Sequence, residues 1–178
     1  VKAARKISKK YNDAKIILVG DEQLIKRKIR KNEFEIVNAT EVVLMTDHSL
    51  QALRKHESSM YKAIKLVAEN KADGVLSAGC TGCYVAMLYT LLHTVNGIKP
   101  GFMPFFPTVT GVPFAMIDVG ANINCTGEDL YNFAKLGRLY FSEVFNKPNP
   151  TVGVINIGTE SEKGFKYHQE ANELITKD

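Results

Sequence analysis

Along this chain of 178 residues, short aliphatic runs ended by glycine alternate with stretches whose apolar residues recur three and four apart. The first pattern is that of buried strands and the second that of amphipathic helices. Residues 1–11 read as helix. Lys15-Ile-Ile-Leu-Val-Gly20 reads as a buried strand, and Asp21 then stands where it caps a helix over 22–30. Phe34-Glu-Ile-Val37 is a second short strand. Ser58 or Ser59 opens a helix with Met60, Ala63, Ile64, Val67 and Ala68 on one face, and residues 73–77 follow as a strand. The segment 81–94 is apolar nearly all round, which predicts a helix buried on several sides. Residues 102–106 and 113–117 flank a Thr110-Gly111 turn and predict an antiparallel hairpin.

Thr126 with Asp129 forms the pattern of a capping box ahead of a long helix carrying Leu130, Phe133, Ala134, Tyr140, Phe141 and Val144. Pro148 and Pro150 end it. Thr151 to Ile157 reads as the last strand, and a closing helix directs Ala171, Leu174 and Ile175 inward. With no repeat, low-complexity tract or evident linker, the alternation predicts one layered α/β domain over 1–178, helices on both faces of the sheet.

Composition narrows the class. Hydrophobic residues at 45% and charged residues at 24% suit a globular domain, and the apolar runs are too short and too interrupted to span a bilayer. No signal-peptide pattern is seen, so a cytoplasmic protein is expected. The start at Val1, already in a helical pattern, suggests a processed or truncated piece. The net charge of +4 gathers at Lys2, Arg5, Lys6, Lys9, Lys10 and again over 26–31. Both clusters lie on amphipathic helices, where solvated surface is the plain reading and an acidic partner or anionic membrane the functional one. No aromatic residues interleave with them, which argues against nucleic acid.

Three glycine-containing turns follow β-like runs, and in open α/β sheets the ligand crevice lies beyond the carboxyl ends of strands. In the first, Gly79 and Gly82 let backbone approach an anion, while Ser77 and Thr81 offer hydroxyls at a helix start. A plain βα connection is the competing reading. In the second, Asp118 and Asn122 bracket Gly120, as an acceptor and a donor or as a simple Asx turn. In the third, Thr159, Glu160, Lys163 and Gly164 place a hydroxyl, a carboxylate and an ammonium in one loop. No G-x-x-x-x-G-K pattern supports a nucleotide loop. Cys80-Thr-Gly-Cys83 stands where a dithiol oxidoreductase keeps its active pair, although buried small hydrophobes are the default fate of such cysteines. Cys125 and the four histidines show neither metal-ligand spacing nor a triad.

Taken together, I-I-L-V-G-D at 16–21, S-S-M at 58–60, A-D-G-V-L-S-A-G at 72–79, T-G at 81–82, P-T at 107–108, D-V-G-A-N at 118–122 and N-I-G-T-E-x-x-K-G at 156–164 resemble the PlsX family of bacterial phosphate acyltransferases. The resemblance runs over nearly the whole chain. It implies a three-layer α/β/α sandwich similar to phosphotransacetylase and isopropylmalate dehydrogenase, with a mostly parallel sheet and an antiparallel hairpin. It also implies a homodimer, peripheral membrane association, no cofactor or metal, and attack of inorganic phosphate on the thioester of acyl-acyl carrier protein in phospholipid synthesis. On that expectation the 77–82 turn and Lys163 hold phosphate, Asn122 or a backbone N–H meets the oxyanion, and Arg138 contacts phosphate or carrier protein. The family commonly carries Asn where this chain has Cys80. Its A-M-G-G-D start and its C-terminal portion have no counterpart here, as expected of a fragment. A phosphotransacetylase-like enzyme using acyl-coenzyme A, and a non-catalytic module binding carrier protein or anionic lipid through helices 1–10 and 22–31, are the alternatives.

Overall fold

Chain-local chemistry sets most element boundaries. In the computed structural model, which describes residues 1–178 apart from the side chain of Asn96, α1 spans Lys2–Lys10 and β1 spans Ile17–Gly20. The Asp21 carboxylate accepts the N–H of Leu24 at 2.9 Å and starts α2, Glu22–Lys26. This helix stops short of the predicted residue 30 because later N–H groups bond elsewhere: Lys28 N–H turns to the Ile25 carbonyl at 2.8 Å and Arg30 N–H goes to the Glu33 carboxylate at 2.8 Å. Arg5 Nη2 donates to the Lys28 carbonyl at 2.9 Å. β2, Glu35–Asn38, then pairs in parallel with β1, Ile17 opposite Glu35 and Gly20 opposite Asn38.

A short helix that the pattern did not predict, α3 at Ser49–Ala52, precedes α4 at Ser59–Ala68. The buried Ser58 hydroxyl caps α4 by accepting the N–H of Tyr61 at 3.3 Å. α5, Thr81–Leu92, packs on α3 and α4. Its buried residues are Cys83 and Met87, one turn apart, which join Val43, Ala52, Met60 and Ile64 in a single core. The predicted burial on several sides is corrected: Tyr89, Thr90 and Leu92 are exposed, so one stripe of α5 faces the core.

The predicted strand 73–77 is also corrected. It is extended chain without a ladder partner among the described residues, with Val75 against the core and Leu76 99% exposed. A β-prone run becomes a strand only where another segment supplies the hydrogen bonds. Residues 151–157 differ from prediction for the same reason, with Ile155 71% and Ile157 86% exposed.

The hairpin forms as predicted: β3, Phe105–Phe106, pairs antiparallel with β4, Phe114–Ala115. α6, Gly127–Phe145, begins with the capping box, Asp129 N–H to Thr126 Oγ1 at 3.1 Å and Thr126 N–H to Asp129 Oδ2 at 2.8 Å. Asn146, at φ 51°, terminates it ahead of the prolines. α7, Lys166–Lys177, lies against α6 through the buried Ala171. Gly127 makes that approach possible, since a Cβ there would stand 2.5 Å from Glu170 Cβ. Leu174, predicted inward, is exposed; the close contact is centred on Ala171. The chain divides into two compact units, Val1–His93 and Thr94–Asp178. It is a mixed α/β chain with one small parallel sheet and one antiparallel pair.

Candidate functional site

The first turn, in unit 1, opens on the extended segment whose Val75 carbonyl accepts the Tyr84 hydroxyl at 3.1 Å. That bond ties the segment to α5. The Ser77 hydroxyl oxygen accepts the N–H of Gly79 at 3.2 Å, folding the chain back toward the helix start at Thr81. Ser77, Gly79, Thr81 and Gly82 are all exposed. The α5 N-terminus therefore presents backbone N–H groups and two hydroxyls to solvent, the arrangement that attracts an oxyanion.

The second turn, in unit 2, is organised by one carboxylate. Asp118 accepts from the N–H groups of Phe102 at 2.8 Å, Ala121 at 3.1 Å and Asn122 at 2.8 Å, and from the Asn122 amide at 3.0 Å. Burial pushes this carboxyl up, but the Phe102 N–H, the Asn122 amide and the Ala121 and Asn122 N–H groups together outweigh it and hold it below the ordinary aspartate value. Asn122 also donates to the Pro100 carbonyl at 2.7 Å, so both its amide hydrogens already serve the loop. Gly120 occupies the left-handed region at φ 106°. The Asx-turn reading of Asp118 and Asn122 thus describes how the turn is built.

The third turn is closed by Asn156. Its Nδ2 donates to the Lys163 carbonyl at 2.9 Å and its Oδ1 accepts the Ile157 N–H at 2.8 Å. Gly164, at φ 83°, passes so close that a Cβ would collide with the Asn156 side-chain oxygen. The loop fixes the Lys163 backbone while the side chains of Thr159, Glu160 and Lys163 stay exposed.

Asp118, Asn122 and Arg138 line one cavity of about 770 Å³ within unit 2, between the β4 end, α6 and the extended 150–155 segment. Thr159, Glu160, Lys163 and Gly164 are not among its lining residues. The cavity adds Cys125, Lys147 and His168, which sequence reasoning did not assign. Only Lys147, beside the helix-ending Pro148, had a positional signal. His168 Nδ1 accepts the Phe165 N–H at 3.2 Å and serves as a helix cap. Among the described residues no group of three or more His, Cys, Asp or Glu side chains converges as a metal set, and no helix is long and apolar enough to cross a membrane.

The sequence pattern of the fatty acid synthesis protein family matches residues 1–178. The chain belongs to this family. Among its relatives, a protein named phosphate acyltransferase from Malacoplasma penetrans is 51% identical over 98% of the chain and 54% of its own length. One of the same name from Mycoplasmoides gallisepticum is 42% identical over 100% of the chain and 55% of its own length. Another from Clostridium novyi is 39% identical over 98% and 54%. The chain spans about half the length of the curated relatives it matches. Family membership agrees with the resemblance read from the motifs.

Proposed function

We propose that this chain is the part of a phosphate acyltransferase that binds phosphate and supports acyl transfer. The observation that carries the reading is similarity over nearly the whole of this chain, at up to 51% identity, to proteins named phosphate acyltransferase. In the reaction proposed, a phosphate oxygen attacks the thioester carbonyl of acyl-acyl carrier protein. A C–O bond forms, the C–S bond breaks, and acyl phosphate leaves with free carrier thiol. Phosphate is nucleophilic and a thiolate leaves readily, so positioning and charge stabilisation suffice without a side-chain nucleophile.

The parts offered by the chain suit that task. Within unit 1, the α5 N-terminus with Ser77, Gly79, Thr81 and Gly82 suits a phosphate oxyanion; within unit 2, Lys163 offers a positive charge to phosphate, with Thr159, Glu160 and Gly164 shaping its loop. Asp118 and Gly120 position the second turn. Asn122, whose amide is engaged by Pro100 and Asp118, meets the developing oxyanion only by exchanging one of those bonds. Arg138, exposed on α6, is placed for an anionic partner. The proposal includes the three-layer α/β/α sandwich. It also includes a homodimer, acyl carrier protein as donor, and a cytoplasmic enzyme peripherally bound to membrane.

The test is thiol release by the full-length enzyme from acyl-acyl carrier protein, with and without phosphate. Release that requires phosphate supports the reading; phosphate-independent release or none overturns it. Faster release from acyl-coenzyme A than from the carrier protein overturns the choice of donor.

A further inference from the structure

The pair Cys80 and Cys83 has no part in the acyl-transfer reading, yet it is built asymmetrically. Cys80 is the N-cap residue of α5, partly exposed, and Cys83 lies in the first turn of the same helix with no exposed surface. Residues three apart at a helix start lie on the same face, and the two thiols are near enough that each shifts the other's proton affinity. Cys80 packs against the core cluster to which Cys83 belongs. The Cys83 thiol has two acceptors for its one proton, the Asp47 carbonyl at 3.2 Å and the Cys80 sulfur. Asp47 is itself fixed, its carboxylate held by Lys55 Nζ at 2.6 Å and the Leu44 N–H at 2.8 Å. One sulfur is therefore reachable from solvent and the other is stored behind it.

We propose that Cys80 and Cys83 form a reversible dithiol–disulfide site, in which exposed Cys80 attacks a low-molecular-weight disulfide and buried Cys83 resolves the mixed disulfide. In the first step the Cys80 thiolate bonds to one sulfur of the disulfide and the other leaves as a thiolate. In the second, Cys83 gives up its proton, its sulfur bonds to Cys80 Sγ, and the second small thiol departs. Two protein thiols are oxidised and one small disulfide is reduced to two thiols, so atoms and electrons balance. The electrostatics run the same way. The Cys83 thiol, with the backbone N–H groups of Cys83 and Gly82, holds Cys80 below the ordinary thiol range. Burial, with Cys80 adding to it, pushes Cys83 up to about 11. An attacking thiolate backed by a protonated reserve is the order the two steps need.

Because no acyl substrate enters, the test is separate from the phosphate reading. The full chain is incubated with glutathione disulfide, the remaining thiols are alkylated, and the products are read by peptide mass spectrometry. The site requires loss of both thiols, a mass lower by two hydrogens and a Cys80–Cys83 linked peptide, all reversed by reduced glutathione. Cys125→Ser should leave this unchanged, while Cys83→Ser should stop at a stable glutathione adduct on Cys80. Cys80 should also alkylate about tenfold faster than Cys125 at neutral pH. The inference is overturned if wild-type Cys80 and Cys83 both stay alkylatable, if wild type accumulates the Cys80 adduct, or if Cys125 is the linked partner. These wild-type outcomes decide the matter even where a variant does not fold.

Discussion

Single side chains hold this chain's loops by satisfying several backbone groups at once, and Asp118 is the clearest instance. Replacing it with Ala leaves the N–H groups of Phe102, Ala121 and Asn122 without their acceptor, and should cost about 2 kcal/mol, read by chemical denaturation. Asp118→Asn, which keeps an acceptor oxygen, should cost less. The sign of its pH dependence follows from its lowered folded value. Its stabilising contribution is complete above the ordinary 3.8 and is lost as pH falls through the folded value. Glu33 behaves alike: the Arg5 guanidinium, then the Arg30 N–H, draw it from 4.5 to about 2. Stability gained from this pair is therefore full above pH 4.5 and fades toward pH 2. Carboxyl NMR titration should find Glu33 near 2 and not at the ordinary 4.5, and Arg5→Ala should raise it toward that value.

Whole elements depend on caps and close approaches. Thr126→Ala removes the acceptor for the Asp129 N–H at the start of a 19-residue helix and should cost about 1 kcal/mol. Gly127→Ala should cost more, about 1–3 kcal/mol, because the new methyl meets Glu170 Cβ and the Ala171 backbone and separates α6 from α7. Thermal unfolding of the two variants gives the comparison. The caps at Asp21 and Thr126 were legible in the sequence because donor and acceptor lie three residues apart, while the Ser58-Ser59 pair left the cap of α4 open between two residues. The hairpin was legible from its Thr110-Gly111 turn. What escaped was long-range: Arg5 reaching the Lys28 carbonyl and Glu33, the exposure of one side of α5, and the absence of ladder partners for 73–77 and 151–157 among the described residues. At the candidate site, Asp118, Asn122 and Lys163 stood out by residue type and turn. Only coordinates place the Asn122 amide on Pro100, 22 residues away, and show Asn156 fastening the Lys163 carbonyl.

At the scale of the molecule, the proposed acyl transfer sets two expectations. Lys163→Ala in the full-length enzyme should raise the phosphate KM by tenfold or more, on the order of 1.4 kcal/mol of lost binding, and steady-state kinetics at varied phosphate would show it. Unchanged kinetics would remove Lys163 from the reaction. The extended, exposed Ile155 and Ile157 lead to a different consequence. An uncovered β-prone edge is a template for pairing between molecules, and a charge placed on it acts as a gatekeeper. Ile155→Lys should lower light scattering by the 178-residue chain. If 151–157 is an interior strand of the complete enzyme, that lysine should instead lower its yield and melting temperature. One substitution would then act as a solubiliser in the short chain and a lesion in the long one, a reversal of sign that depends on what covers the isoleucine.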